Sequence, residues 1–406
     1  MSEKSILICT ALMPACYKDF HCIMGDCQDT CCANWRIEFS KKDYLAIKRA
    51  PKSEELEKLL EKGMKRLREA EHGKMYAEFP DSQHGRCAFH TPEGLCRLQL
   101  ECGADTLPMV CRTYPRHSGY TTAALEYALS PSCEGVLALL WDLEEGLDFI
   151  EEPLPPEDHR RFNPDHAMEA RFAPLRELWI DTLQTRTLPL SQRMLLLGLM
   201  TQQLGALDWQ DGSALDRAFL RWRALLQDPT PLTEGLEKLS GNRQMFMLHN
   251  LHLLFNLAQN WGQLATELLA SVIGDTPLEQ LDMNRVTINA GHYQELEDQL
   301  TQLLGGSEHF MENLMVNDAF YLALPSVETP EKLWTSYVNL CNLYSFYRFT
   351  AVCSMDKEVS RARLFHTLVH TSRSLIHNPS QRTQLRDELF KNDSATLAHM
   401  AILVGG

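Results

Sequence analysis

The chain has 406 residues, 44% hydrophobic and 23% charged, a globular composition that rules out disorder along its length. No run of sequence approaches the ~20 apolar residues of a spanning helix, so a membrane role is not expected. The net charge of −15, from 54 acidic against 39 basic residues, argues against nucleic acid as a partner, because phosphate binding calls for a basic excess. Such a length points to two or three domains.

In chain order, Lys4, the apolar run from Ile6 to Met13 and Pro14-Ala15-Cys16 have the outline of a signal peptide. The run is short, and Pro14 stands just before the would-be cleavage site, so a cytoplasmic protein with reduced thiols is expected. Eleven of the thirteen cysteines then fall within the first 133 residues, leaving only Cys341 and Cys353 beyond. Between the cysteine clusters, Leu56, Leu59, Leu60, Met64 and Leu67 recur at helical spacing, predicting an amphipathic helix over 53–71 capped by Ser53. The segment from Tyr120 to Tyr127 alternates as a strand does. Residues 135–150 read as an apolar helix, and the proline-rich stretch that follows reads as a linker.

Helix-length segments follow at 167–185, 191–206, 213–227, 243–261, 293–304, 331–349, 358–377 and 381–402, separated by Gly and Pro breakers. The expected fold is mainly α. Residues 1–150 form an irregular cysteine-rich metal-binding domain with one inserted amphipathic helix, 151–165 a linker, and 166–406 an all-α helical domain.

The chemistry is concentrated in two clusters. The first is Cys22, Cys27, Cys31 and Cys32, with Gly25 expected to give the loop backbone freedom and Trp35 to shield a metal. The second is Cys87, Cys96, Cys102 and Cys111, with Cys133 downstream. Thiolates gathered at loop sites suit zinc or an iron–sulfur cluster. His84 and His90 are possible mixed ligands, with exposed loop histidines as the competing reading. Paired CxxC motifs of a zinc ribbon are absent, as is the CxxxCxxC of radical enzymes, since Asn34 stands where its third cysteine is required. A secreted disulfide scaffold is disfavoured by the adjacent Cys31-Cys32 and the odd cysteine total. A dinucleotide-type glycine fingerprint is also missing.

The Cys-x4-Cys-x3-Cys-Cys-x2-Trp run, Cys87 to Cys96, Leu107-Pro108, Cys111-Arg-x-Tyr-Pro-Arg116 and Ser132-Cys133 together resemble the flagellin lysine N-methylase family. Its eight-cysteine module also occurs in small zinc- or iron-chelating proteins. These motifs cover residues 20–135; the rest fits longer family members by length and character. The resemblance implies metal ligation by Cys22, Cys27, Cys31, Cys32, Cys87, Cys96, Cys111 and Cys133. It further implies methyl transfer from S-adenosylmethionine to surface lysines of flagellin, with a [4Fe–4S] cluster. Eight thiols exceed the four of one cubane, and the sequence does not partition them.

The sequence does not mark a catalytic group. Tyr114 is a candidate proton acceptor, with packing beside the metal loop as the competing reading. Arg112 and Arg116 are candidates for holding the donor's carboxylate, against ordinary structural pairing. The alternative function is a zinc- or iron-chelating and delivery protein with a helical docking domain.

Overall fold

Ser40 and Ser53 start the first two helices as capping rules require: each side-chain oxygen accepts a backbone N–H in the next turn, from Asp43 at 3.1 Å and Leu56 at 3.1 Å. The computed structural model describes residues 5–33, 36–67, 75–80, 85–231, 235, 242–274, 280, 282 and 286–406. The strands described are β1 (Ile6–Ile8), β2 (Thr10–Pro14), β3 (Ile37–Phe39), β4 (Lys65–Arg66), β5 (Ala77–Phe79), β6 (Arg116–Tyr120), β7 (Leu125–Leu129), β8 (Phe149–Pro153) and β9 (Arg160–Phe162). By internal packing the chain divides into one unit of residues 20–117 with 133–136, and another of residues 1–19, 118–132 and 137–406.

The smaller unit carries helices α1 (Lys41–Arg49), α2 (Glu54–Gly63), α3 (Arg97–Cys102) and α4 (Met109–Thr113), and Glu134 opens α5 (Glu134–Asp142). Strands β3, β5 and β4 form an antiparallel sheet, with Ile37 opposite Phe79 and Phe39 opposite Ala77. The alternation puts Ile37, Phe39, Ala77 and Phe79 on the buried face. There they meet Ile47, Leu56, Leu60, Phe89, Leu98 and Leu107 in one core. Helix α2 is the amphipathic helix expected from Ser53, and it ends at Gly63.

In the larger unit β2 runs parallel to β7 and antiparallel to β8, giving a four-stranded sheet in the order β6-β7-β2-β8. The helical reading of 135–150 therefore holds to Asp142, after which Phe149–Pro153 is strand, paired from Pro14↔Phe149 to Thr10↔Pro153. Within the segment expected to be linker, Arg160–Phe162 pairs with β1. Both departures have the same cause: the pairing partners lie more than a hundred residues upstream, beyond the reach of local patterning.

The helices of this unit are α6 (Phe172–Leu183), α7 (Leu190–Gly205), α8 (Gly212–Gln227), α9 (Arg243–Trp261), α10 (Gln263–Ile273), α11 (Ala290–Leu303), α12 (His309–Tyr321), α13 (Pro330–Ser354), α14 (Arg361–Ile376), α15 (Pro379–Lys391) and α16 (Leu397–Gly405). A mainly α class follows. Helix α13 has eighteen of its twenty-five residues buried, as expected of a helix that is apolar all round. It packs against α7, α10, α11, α14 and α16. At Gly198 of α7 the approach is so close that a Cβ would overlap the Tyr337 ring. The single helix expected over 381–402 is two, because Asp393 takes a left-handed φ of 50° and Thr396 caps a fresh start. No helix among the described residues is long and apolar enough to cross a membrane.

The Glu312 carboxylate is buried and paired. Glu312 accepts from Arg193 Nη1 at 2.5 Å and Arg186 Nη2 at 2.9 Å, while Arg193 also donates to the carbonyls of Leu183 and Leu188. Replacing Arg193 by Met leaves Glu312 to Arg186 alone and should cost about 3–5 kcal/mol. Urea unfolding followed by helical circular dichroism measures the loss.

Asp318 is wholly buried beside Tyr347 and Asn317, with neither oxygen in a well-aligned hydrogen bond. Burial raises its carboxyl to about 7, against 3.8 ordinarily. The folded state thus holds this proton more tightly than the unfolded state. Its contribution to stability is complete below about pH 4 and is lost as pH rises through 7. Asp318→Asn should shrink the fall in melting temperature between pH 5 and pH 8.

Candidate metal centre

The cysteines of the smaller unit are placed by short turns tied to one another through the backbone. A 3-10 turn over Met24–Asp26 follows Cys22, and Met24 N–H points at the Cys22 sulfur at 3.4 Å. Gly25 has no left-handed φ; Met24 carries that strain, at 51°. The requirement for glycine at 25 is close approach instead of backbone freedom. A Cβ there would stand 2.6 Å from the Glu93 carbonyl oxygen, and one on Gly94 would stand 2.9 Å from the Gly25 Cα. The two loops clasp at this glycine pair.

Further along, Cys87 N–H donates to the Cys32 carbonyl at 2.7 Å, and Ala33 bridges Arg86. His90 bridges Cys96, Arg97 N–H donates to the Phe89 carbonyl, and Cys96 leads into α3. Cys111 lies within α4. Cys87, Cys96 and Cys111 all pack on the core that contains Phe89, Leu98 and Leu107. From the far end of the unit, Glu134 accepts the N–H groups of Gln28 at 2.8 Å and Asp29 at 3.4 Å, bringing the adjacent Cys133 to the first loop. Nothing in the local sequence marks this role for Glu134 except its position beside Cys133.

The thiols respond to this crowding. Burial, then Glu134 and Cys133, pushes Cys27 up to about 12. Burial, then Cys32, Cys87 and Cys96, raises Cys111. Cys87 is pushed up to about 12 by burial, with Cys32 and Cys96 adding to it, and Cys96 rises for the same first reason. A hydrogen bond between Cys31 and Cys32 splits that pair: Cys31 is driven up, with burial, Cys133 and Cys22 contributing, and Cys32 is lowered. Neighbouring thiolates would repel one another in a partly dehydrated site, whereas a soft cation among them stabilises the ionised form. The donor set fits thiolate-bound metal. No three of these sulfurs lie within 4.8 Å of one another among the described residues. Four thiolates on one zinc would sit ~3.8 Å apart, and a cubane, with its irons between them, holds them wider.

The other cysteines are placed differently. Cys341 and Cys353 are buried in the helical unit and pushed up to about 12 by burial; Cys16 is buried and raised to about 11. Cys102 points its sulfur at the Pro51 carbonyl, and Cys9 is half-buried. None of the thirteen is in a disulfide. Tyr114 ends α4 with a cis bond to Pro115. Arg112 donates to the Asp105 carbonyl, and Arg116 donates to the Phe20 carbonyl with its guanidinium 4.9 Å over the Phe20 ring. Each arginine thus commits a donor to the backbone. Burial, then Arg86, lowers the His90 imidazole, and its Nε2 is buried without a hydrogen-bond partner among the described residues. Trp35 and His84 lie outside the described residues.

The profile of the FliB lysine N-methylase C-terminal domain matches residues 176–403, more than half of the chain. The chain belongs to the FliB lysine N-methylase family. The match falls on the helical unit, which the sequence motifs reached only by length and character. The flagellar biosynthetic protein FliU of Salmonella muenchen is similar too, at 28% identity over 130 residues, which is 31% of this chain and 74% of that protein. No solved structure matches this FliB-family chain.

The clasp gives a direct test. Gly25→Ala should force the loops apart at a cost of about 1–3 kcal/mol and speed the release of bound metal to a chelator several-fold. Chelator-dye kinetics on the variant and on Gly291→Ala, where a Cβ meets only ordinary contact, make the comparison.

Proposed function

We propose that the protein transfers methyl groups from S-adenosylmethionine to lysine side chains of flagellin in the cytoplasm, with a [4Fe–4S] cluster in its cysteine-rich unit. The family match over residues 176–403 carries the methylase reading. The FliU relative supports a flagellar substrate. The gathered thiols support thiolate-bound metal, and the resemblance of the cysteine pattern to the family implies the cluster.

The reaction is a displacement. A neutral lysine Nζ forms a bond to the sulfonium methyl carbon while the carbon–sulfur bond breaks and its electron pair stays on sulfur. A free lysine titrates near ~10.4, so the protein must desolvate the ammonium or accept its proton before attack. Alignment of nitrogen, carbon and sulfur supplies much of the acceleration. When bound, a cluster supplies structural order to the loops and, if one iron lacks a cysteine, a Lewis-acidic position. Cys22, Cys27, Cys31, Cys32, Cys87, Cys96, Cys111 and Cys133 are the residues that would hold metal, and Tyr114 is the tyrosine placed nearest in sequence to them.

Labelled methyl transfer to purified flagellin tests the reading. Cluster-replete protein should incorporate label; the double variant Cys31→Ala with Cys32→Ala should lose the broad absorbance near 400 nm and the activity together, and Cys341→Ala should keep both. A cluster-replete protein that transfers no label to flagellin would sink the enzymatic reading. A colourless protein with stoichiometric zinc would sink the cluster and favour chelation or delivery.

A further inference from the structure

Within the smaller unit the eight thiols are not one crowd. Cys31 has Cys133 and Cys22 as sulfur neighbours, and Cys27 has Cys133. Cys111 has Cys32, Cys87 and Cys96, and those three also neighbour one another. The two groups meet at Cys31 and Cys32, which are consecutive in the chain and interact through their side chains. Backbone geometry draws the same line. Cys87 N–H is bonded to the Cys32 carbonyl, His90 bridges Cys96, and Cys87, Cys96 and Cys111 share one apolar core. Cys133 reaches the first loop through Glu134, which holds the backbone at Gln28 and Asp29 between Cys27 and Cys31.

We infer that the unit holds two separate thiolate-bound metal centres, an outer one on Cys22, Cys27, Cys31 and Cys133 and an inner one on Cys32, Cys87, Cys96 and Cys111. This rests on reading the eight cysteines as metal ligands and assigns each of them. Four thiolates complete the coordination of one zinc or one cubane, so eight make two full sets. Surroundings set the two apart. The inner set leans on Phe89, Leu98 and Leu107 and joins three chain segments, so its metal is a structural staple. The outer set includes the exposed Cys22 and has the Glu134 carboxylate beside it, hydrogen-bonded to the backbone of Gln28 and Asp29. Its metal is the one that solvent, chelators and oxidants reach first.

The test counts metal on the full-length protein purified without oxygen, by native mass spectrometry together with iron, zinc and sulfide analysis. The unmutated protein should carry two centres, and the iron-to-zinc ratio says whether the inner one is a cluster or zinc. Cys22→Ser with Cys133→Ser should remove one centre and leave the other, with unfolding of the unit little changed. Cys87→Ser with Cys111→Ser should remove the inner centre and lower the melting temperature; if that variant does not fold, the count on unmutated protein and the outer variant still decides. One centre per unmutated chain would overturn the inference, as would complete metal loss from a folded outer variant. Methyl transfer is read separately: a one-centre protein that still methylates flagellin refutes the partition and spares the enzyme, and a two-centre protein that does not methylate does the reverse.

Discussion

Burial of thiols beside one another governs the cysteine-rich unit. Burial and neighbouring thiols raise Cys27, Cys87, Cys96 and Cys111 well above the ordinary thiol range, so the loops that carry them gain little by ionising alone. Cations placed among them reverse the sign of that interaction. The rest of the unit exists to hold the loops in register: the Gly25–Gly94 clasp, the Glu134 carboxylate on two backbone amides, and a core of modest size beneath the second cluster. With so few regular elements, such a unit needs a staple that its hydrophobic core does not provide.

The helical unit meets the opposite problem. It has ample apolar surface to bury and must accommodate a few polar groups within it. Arg176 is wholly enclosed, and it answers with Glu126 at 2.8 Å and the faces of Phe172 and Phe320. Glu312 is held by two arginines from elsewhere in the chain. These pairs fix which helices meet, because an unmatched buried charge penalises any other arrangement. The family signal belongs to this framework, and the cysteine clusters to the other unit.

Much of this was legible in the residues themselves. The confinement of reactive thiols to the N-terminal third, the Ser53 cap and most helices from Phe172 onward follow from composition, spacing and breakers. Helices α10 and α12 escaped notice; α12 is buried on nearly every side and so lacks a polar face to give it a period. Sheet pairing of β2 with β8, and of β1 with β9, depends on partners far apart in sequence. The role of Gly25 was misjudged for a related reason: a turn residue announces itself locally, whereas a contact with Glu93 does not. The identity of Glu134 as a loop anchor was equally hidden.

The wide sequence separation of Cys133 from its neighbours bears on how the protein is made. Cys32, Cys87, Cys96 and Cys111 are all synthesised before Cys133, and closing the loop between Cys31 and Cys133 spans more than a hundred residues. During synthesis the inner quartet is therefore finished first, and the outer one stays a sulfur short until strands β6 and β7 have been translated. Cofactor delivery would then be ordered in time by the direction in which the polypeptide grows.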